Sequence, residues 1–358
     1  MVMNKFYLRA SCWLAALVMS TALASTARSE EQLNALVWCD HKDPALLEPF
    51  EKKFNVKVNI KEYEGTGTAL SLVEQSQPGD WDVFVVDGID VPRVLDAGLL
   101  APLPKDKIHY DDIFPSVRLD DKQSRDGKIY AVTEKFGYNT VSFDANKVKA
   151  ADLDDMTVLW NSDKFKGQIA VYDYYLPVMG LVAMGLGLNT ATLKETDLPK
   201  LREALFKLKA NTKVIGEVTA SQTALATGET SILFGGGEWV TAGLSADKPN
   251  LQWLLPKQGG TRWSQSLGVF AASKNKDMAI EFVSYILSPE GQARLATSSC
   301  YWAMPANQKA REFLTDKQRA ALRWDEQEGF LKKAQLYPAP DAALDVKMQD
   351  LWTEFLQH

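Results

Sequence analysis

The sequence predicts an α/β protein built on a parallel sheet with helices on both faces. Three observations carry that reading. The first hundred or so residues alternate short apolar runs with segments of helical period. The links between them are short and rich in Gly, Pro and Asp. The residues with binding chemistry fall just past the apolar runs, where open sheets of this kind hold their ligands.

Residues 33–37 (LNALV) read as a buried strand, with Trp38-Cys39-Asp40-His41 at its C-terminal end. Asp43-Pro44 supplies the N-cap and first-turn residues of a helix, whose apolar positions Leu46, Leu47, Phe50 and Phe54 keep its period. A second strand alternates over 56–60, and Glu64-Gly65-Thr66-Gly67-Thr68 turns into a helix over 69–75. Pro78-Gly79-Asp80 leads to a third strand, 82–86, which ends in Asp87-Gly88. A helix over 91–97 stops at Gly98. Three stretches therefore lie beyond strand ends: 38–41, 65–68 and 87–90.

From 102 to 128 the pattern loosens, and two strand-like runs follow at 129–132 and 138–144 with no long helix between them. They suit a chain crossing from one lobe into another. Beyond them come a helix at 158–161, a strand at 168–171 with 172–175 at its end, helices at 177–186 and 198–210, and the pair 221–227 and 231–234. The stretch 251–272 (LQWLLPKQGGTRWSQSLGVFAA) begins as an apolar strand and turns at Pro256-Lys257-Gln258-Gly259-Gly260. It then sets Arg262, Trp263 and Gln265 on a strand's two faces. It reads either as a hairpin with a core Trp or as a ligand wall on a chain that crosses between lobes. Helices at 276–287 and 289–297, the aromatic run Cys300-Tyr301-Trp302-Ala303-Met304-Pro305, and helical segments at 308–313, 316–324 and 343–358 complete the chain.

The 358 residues are 46% hydrophobic and 24% charged, the balance of a soluble globular protein of one large or two smaller domains. The net charge is −6, and removing residues 1–24, which carry Lys5 and Arg9 and no acid, makes it −8. Such a chain is a poor partner for nucleic acid or anionic lipid, both of which need basic patches. Lys5 and Arg9 precede a short apolar run at 11–19, and Ala22-Leu23-Ala24 offers a small-x-small cleavage site, with Ala27 a second option. That run is well under the roughly 20 residues that span a bilayer. Residues 1–24 are therefore expected to be a secretory signal, and the mature chain to be exported without membrane insertion. Cys39 and Cys300 remain after cleavage in a compartment that permits disulfides, and a bond or two thiols are both open.

Catalytic signatures are weak. The three histidines, His41, His109 and His358, stand in no triad-like arrangement, and neither G-x-S-x-G nor H-E-x-x-H occurs. Gly65-x-Gly67 and Gly235-Gly236-Gly237 lack the rest of a phosphate loop, and no ligand spacing fits zinc or an EF-hand. No enzyme activity and no cofactor are expected. Aromatics are more telling: Trp38, Tyr172, Tyr174, Tyr175, Phe234, Trp239, Trp263, Tyr301 and Trp302 fall at strand ends or in loops. Rings so placed suit a slot for a cationic or planar ligand.

With these features in order, the chain resembles the periplasmic substrate-binding proteins of ABC importers, in the spermidine/putrescine-binding group. The resemblance is carried by DGKIYAVTEKFGYNTVSFD at 126–144, ATGETSILFGGGEW at 226–239, PKQGGTRW at 256–263 and SPEGQARLATSS at 288–299, and covers almost the whole mature chain. It implies an α/β, two-lobe periplasmic binding protein fold (type II-like) with the ligand cleft between lobes. Residues 28–136 with 267–305 would form lobe 1, and 137–266 with 306–358 lobe 2. The protein would be periplasmic and monomeric, with a small-molecule ligand and an inner-membrane ABC permease as partners.

The group's ligand aromatics carry over as Trp38, Phe234, Trp263 and Tyr301 (or Trp302). Its carboxylates do not: Gln265 stands where the group holds an amine with an acid, and Tyr174 and Pro177 take acidic positions near Asp173. A polyamine-like organic cation would then pair with Asp87, Asp90 or Asp173. A zwitterionic amino acid derivative is the alternative, with its carboxylate on Arg262 or at the helix start Gly65-Thr66. A ferric ion on Tyr174-Tyr175 is a further reading. By the same resemblance Cys39 and Cys300 both fall on the hinge side of the cleft, within disulfide reach.

Overall fold

The computed structural model describes residues 31–357. The secretory signal expected over 1–24 lies outside them. The described strands run in chain order as β1 (Glu31–Val37), β2 (Val56–Glu62), β3 (Val83–Asp87), β4 (Ser124–Arg125), β5 (Lys128–Ile129), β6 (Ala131–Asp144) and β7 (Ile169–Tyr172). They continue as β8 (Thr212–Gly216), β9 (Ile232–Gly236), β10 (Leu251–Leu254), β11 (Gly260–Val269), β12 (Met304–Pro305) and β13 (Ala334–Leu336).

The main sheet is ordered β2-β1-β3-β11-β6-β9-β7-β8. At one end β1 pairs parallel with β2 and β3, and at the other β7 pairs parallel with β8 and β9. Between them β6 and β11 run antiparallel to their neighbours. The alternating β-α pattern produces the two parallel ends, because right-handed crossover helices can cover both faces only there. Ala35 and Val83 face one core cluster while Leu36 and Phe84 face another, so β1 and β3 are buried on both sides.

The helix Pro44–Phe54 begins as its sequence dictates, with the Asp43 carboxylate accepting from the Ala45 amide. It packs through Phe50 onto Phe282 of the helix Lys276–Leu287. On the other lobe the helix Tyr175–Gly185 is buried almost all round. It is flanked by the helices Leu198–Asn211 and Ala342–Gln357.

Two elements depart from the sequence reading. The runs at 129–132 and 138–144 belong, from Ala131 on, to one 14-residue strand, buried throughout, because Glu134 and Lys135 between them are taken up in buried ion pairs. The stretch 251–272 is not a hairpin. Its strands β10 and β11 both pair with β6, at residues 141–144 and 131–139. β6 and β11 therefore bridge the two ends of the sheet, and the lobe limits expected at 136 and 266 fall inside them. Residues 306–324, expected in lobe 2, instead pack with lobe 1: Ala306, Ala310, Leu314, Leu322 and Trp324 share a core with Leu33 and Phe282. The cause is β12, which pairs with β6 at Lys135 and Phe136 and holds the following chain on that side. Leu344, Met348 and Phe355 do join the second lobe's core.

Candidate functional site

Strand ends from both lobes converge on a cavity of about 40 Å3. Trp38 follows β1, Asp87 ends β3, and Trp263 and Gln265 come from β11, with Tyr301 from the loop before β12. The opposite wall holds Asn139 of β6, Tyr172 and Tyr174 at the end of β7, Val218 after β8, Trp239 after β9 and Tyr337 after β13. Seven of these eleven side chains are aromatic and one is a carboxylate.

Register explains the grouping. Gln265 pairs across the sheet with Asp87 on one side and Lys135 on the other. Direct cross-strand partners share a face with Cβ atoms roughly 5 Å apart, so Asp87, Gln265 and Lys135 form a row. Gly137 opposes Trp263, and a Cβ there would stand 2.6 Å from the indole and 1.7 Å from Glu238 Oε1. Only glycine admits the Trp263 ring at that distance. The Glu238 carboxylate beside it accepts from the Tyr138 amide at 3.0 Å, and burial raises its pKa to about 8.

Asp87 is buried and accepts from the Tyr174 hydroxyl at 2.9 Å. Burial, and then the charge of Asp90, raise its pKa to about 7, against the pull of the Tyr174 hydrogen bond. Behind Gln265 and Tyr301 lies a second polar cluster with no exposure to solvent. Lys135 Nζ donates to Asp40 Oδ2 at 2.8 Å and to the carbonyls of Leu295 and Tyr301 at 3.0 and 3.2 Å. His41 holds Asp40 Oδ1 at 2.9 Å and Glu134 Oε1 at 3.0 Å. Burial opposes both charges, but Lys135 and His41 hold the Asp40 carboxyl well below the usual range. Glu134 and Asp40 likewise raise His41. Gln265 Nε2 bonds the Tyr301 hydroxyl at 2.5 Å, which ties this cluster to the cavity wall.

Cys39 and Cys300 are disulfide-bonded, with Cα atoms 6.0 Å apart across 261 residues of chain. Their neighbours Trp38 and Tyr301 both line the cavity, so one covalent link fastens two segments of the same wall.

Of the residues singled out in the sequence, Trp38, Asp87, Tyr172, Tyr174, Trp239, Trp263, Gln265 and Tyr301 meet in the cavity. Asp90 does not line it; its amide donates to the Asp87 carbonyl at 2.9 Å, and its carboxylate acts on Asp87 from behind. Asp173 is exposed and accepts from the Trp352 indole at 2.8 Å, because the strand-end alternation that turns Tyr172 inward turns Asp173 outward. Phe234 is a core residue with its ring edge-on to Trp160, and Trp239 stands in the cavity instead.

Arg262 is out of phase with Trp263 and Gln265, and donates to the Ser116 carbonyl at 2.9 Å on another face. Of the two carboxylate anchors expected for a zwitterion, Arg262 is therefore turned away from the cavity, and Gly65 and Thr66 do not line it. The iron reading fails as well, since Tyr174 turns to Asp87 while Tyr175 donates to Asp345 at 2.6 Å. Asn139, Val218 and Tyr337 were not foreseen as site residues. Tyr337 follows a three-residue strand and is recruited by a hydrogen bond to Asn139, which leaves no local signal.

A family model for bacterial extracellular solute-binding proteins matches residues 45–322. The chain belongs to that family. A spermidine/putrescine-binding periplasmic protein of Salmonella typhimurium is 24% identical over 289 residues, covering 80% of each chain. The spermidine/putrescine ABC transporter substrate-binding protein PotD from Streptococcus pneumoniae superposes with a TM-score of 0.72 at 20% identity, covering 91% of this chain and 99% of that one. The Atu4243–GABA receptor superposes with a TM-score of 0.72 at 20% identity, covering 91% and 97%. The fold is thus the two-lobe fold of periplasmic binding proteins. This chain is thus a bacterial extracellular solute-binding protein rather than an enzyme, and the curated relatives it is similar to are periplasmic binding proteins. Among the described residues no helix is long and apolar enough to cross a membrane.

Proposed function

We propose that the ligand is a small organic cation of the polyamine-like class, captured as the lobes close and passed by a monomeric protein to an inner-membrane permease. The observation that carries this reading is Asp87, the one carboxylate in a wall of seven aromatic rings. A buried carboxyl raised to about 7 gains from a cation that restores its charge. Aromatic faces attract a desolvated ammonium as well. Acceptors that face the same end, the Asp87 carboxylate and the Gln265 carbonyl oxygen, suit the three donors of a primary ammonium. The binding of spermidine and putrescine by the Salmonella relative is consistent with the same chemistry.

Titration calorimetry of the mature protein with putrescine, spermidine, agmatine and butylamine tests it. At least one amine should bind, and Asp87→Asn should raise its Kd roughly 30-fold or more, since losing one partner of a buried charge pair costs about 2–5 kcal/mol. An unchanged Kd in Asp87→Asn, with the variant shown folded by circular dichroism, would remove the carboxylate from the site.

A further inference from the structure

We infer that the ligand carries one ammonium and, at its other end, a neutral oxygen that accepts a hydrogen bond. It is an amino alcohol or an N-acylated diamine, rather than a free diamine or an amino acid. This rests on the amine reading above and names the second end of the same ligand.

Three buried polar atoms on the cavity residues have no hydrogen-bond partner within bonding distance among the described residues: Gln265 Oε1, Trp239 Nε1 and Trp38 Nε1, and of these the Trp38 indole is directed at the Tyr63 hydroxyl. Gln265 is 1% exposed and Trp239 4%. The orientation of the Gln265 amide is fixed by its surroundings. Its Nε2 faces the Tyr301 hydroxyl and, at 3.5 Å, Asp40 Oδ1; turned over, its carbonyl would face a carboxylate. Oε1 is thus left as an acceptor beside Asp87, its direct cross-strand partner. This end of the cavity asks for donors with a positive charge.

The other end asks for the opposite. The Trp239 indole can only donate. Asn139 is already engaged, taking the Tyr337 hydroxyl on Oδ1 and giving Nδ2 to the Gly235 carbonyl at 2.7 Å. No carboxylate from the second lobe lines the cavity among the described residues. A second ammonium would meet an indole N–H and stay unpaired, which is costly for a buried charge. A ligand carboxylate would find the indole N–H but no cation, since Arg262 lies on another face and Lys135 is held by Asp40. A neutral oxygen satisfies the indole without bringing an unmatched charge.

Calorimetry at pH 8, with Asp87 ionised, should rank N-acetylputrescine at least tenfold tighter than putrescine, GABA and butylamine. Trp239→Phe keeps the ring and removes the donor. It should weaken N-acetylputrescine roughly three- to tenfold more than it weakens butylamine, as expected for one hydrogen bond. The ranking on the unaltered chain stands whether or not the variant folds. Putrescine binding as tightly as N-acetylputrescine would overturn the inference while keeping the amine reading, and would put the second ammonium on the exposed carboxylates Glu64, Asp173 and Glu217. GABA binding tightest would overturn it in favour of a carboxylate. Equal losses for butylamine and N-acetylputrescine in Trp239→Phe would also overturn it. Silence toward every amine overturns both readings together.

Discussion

Asp87 is the residue on which ligand and proton compete. Its pKa of about 7 in the folded protein stems first from burial and second from Asp90, with Tyr174 pulling the other way. A cationic ligand needs the ionised form. Affinity should therefore be flat above about pH 8 and fall as the carboxyl protonates, by up to about tenfold per unit below 7. Calorimetry from pH 5.5 to 8.5 in buffers of different ionisation heat should show proton release on binding, and a flat profile with no release would refute the assignment. Stability of the unliganded protein should run the other way. The folded carboxyl keeps its proton where the unfolded one has lost it, so Asp87 weakens the fold as pH rises from about 4 to about 7.

At the scale of elements, strand parity decides which residues can serve the site. On β11 the odd positions Trp263 and Gln265 face the cavity, and Arg262 cannot join them without a register slip. Past β7 the same alternation places Tyr172 and Tyr174 inward and Asp173 outward. These phases are legible in a sequence once one inward residue is known, but which phase is inward is set by the neighbouring strands. β6 shows the limit. Its Glu134 and Lys135 look like a break in an apolar strand, yet they are buried because Asp40 and His41 arrive from 93 to 95 residues away. Replacing Lys135 by Met leaves Asp40 without its ammonium partner, and the Leu295 and Tyr301 carbonyls without their donor, in a dry site. Chemical denaturation should report a loss of about 3–5 kcal/mol, the usual cost of breaking a buried pair. A loss under about 1 kcal/mol would mean that water reaches the cluster.

Over the whole molecule, the Cys39–Cys300 bond closes a loop of 261 residues beside the cavity. Chain entropy alone gives such a link on the order of 5 kcal/mol. A thiol assay on the denatured mature chain should find no free thiol. The double variant Cys39→Ser/Cys300→Ser should lower the denaturation midpoint. It should also weaken ligand binding, because Trp38 and Tyr301 lose the tie between them. Unaltered affinity in the double variant would show that packing alone holds these two segments of the wall.

What the sequence by itself determined is local. The β-α alternation, the helix caps, the crossing runs and the placing of rings at strand ends follow from periodicity and turn chemistry over a few residues each. These gave the α/β class and the family resemblance added the two-lobe fold, and together they named eight of the cavity's eleven side chains. The tertiary structure alone decided which face each strand shows, and so removed Arg262, Asp173 and Phe234 from the site. It brought Tyr337 to Asn139 across 198 residues, joined the two cysteines, and buried Asp87 with Asp90 at its back. Each of these depends on a neighbour remote in sequence, and burial, register and pKa are properties of those neighbours as much as of the residue itself.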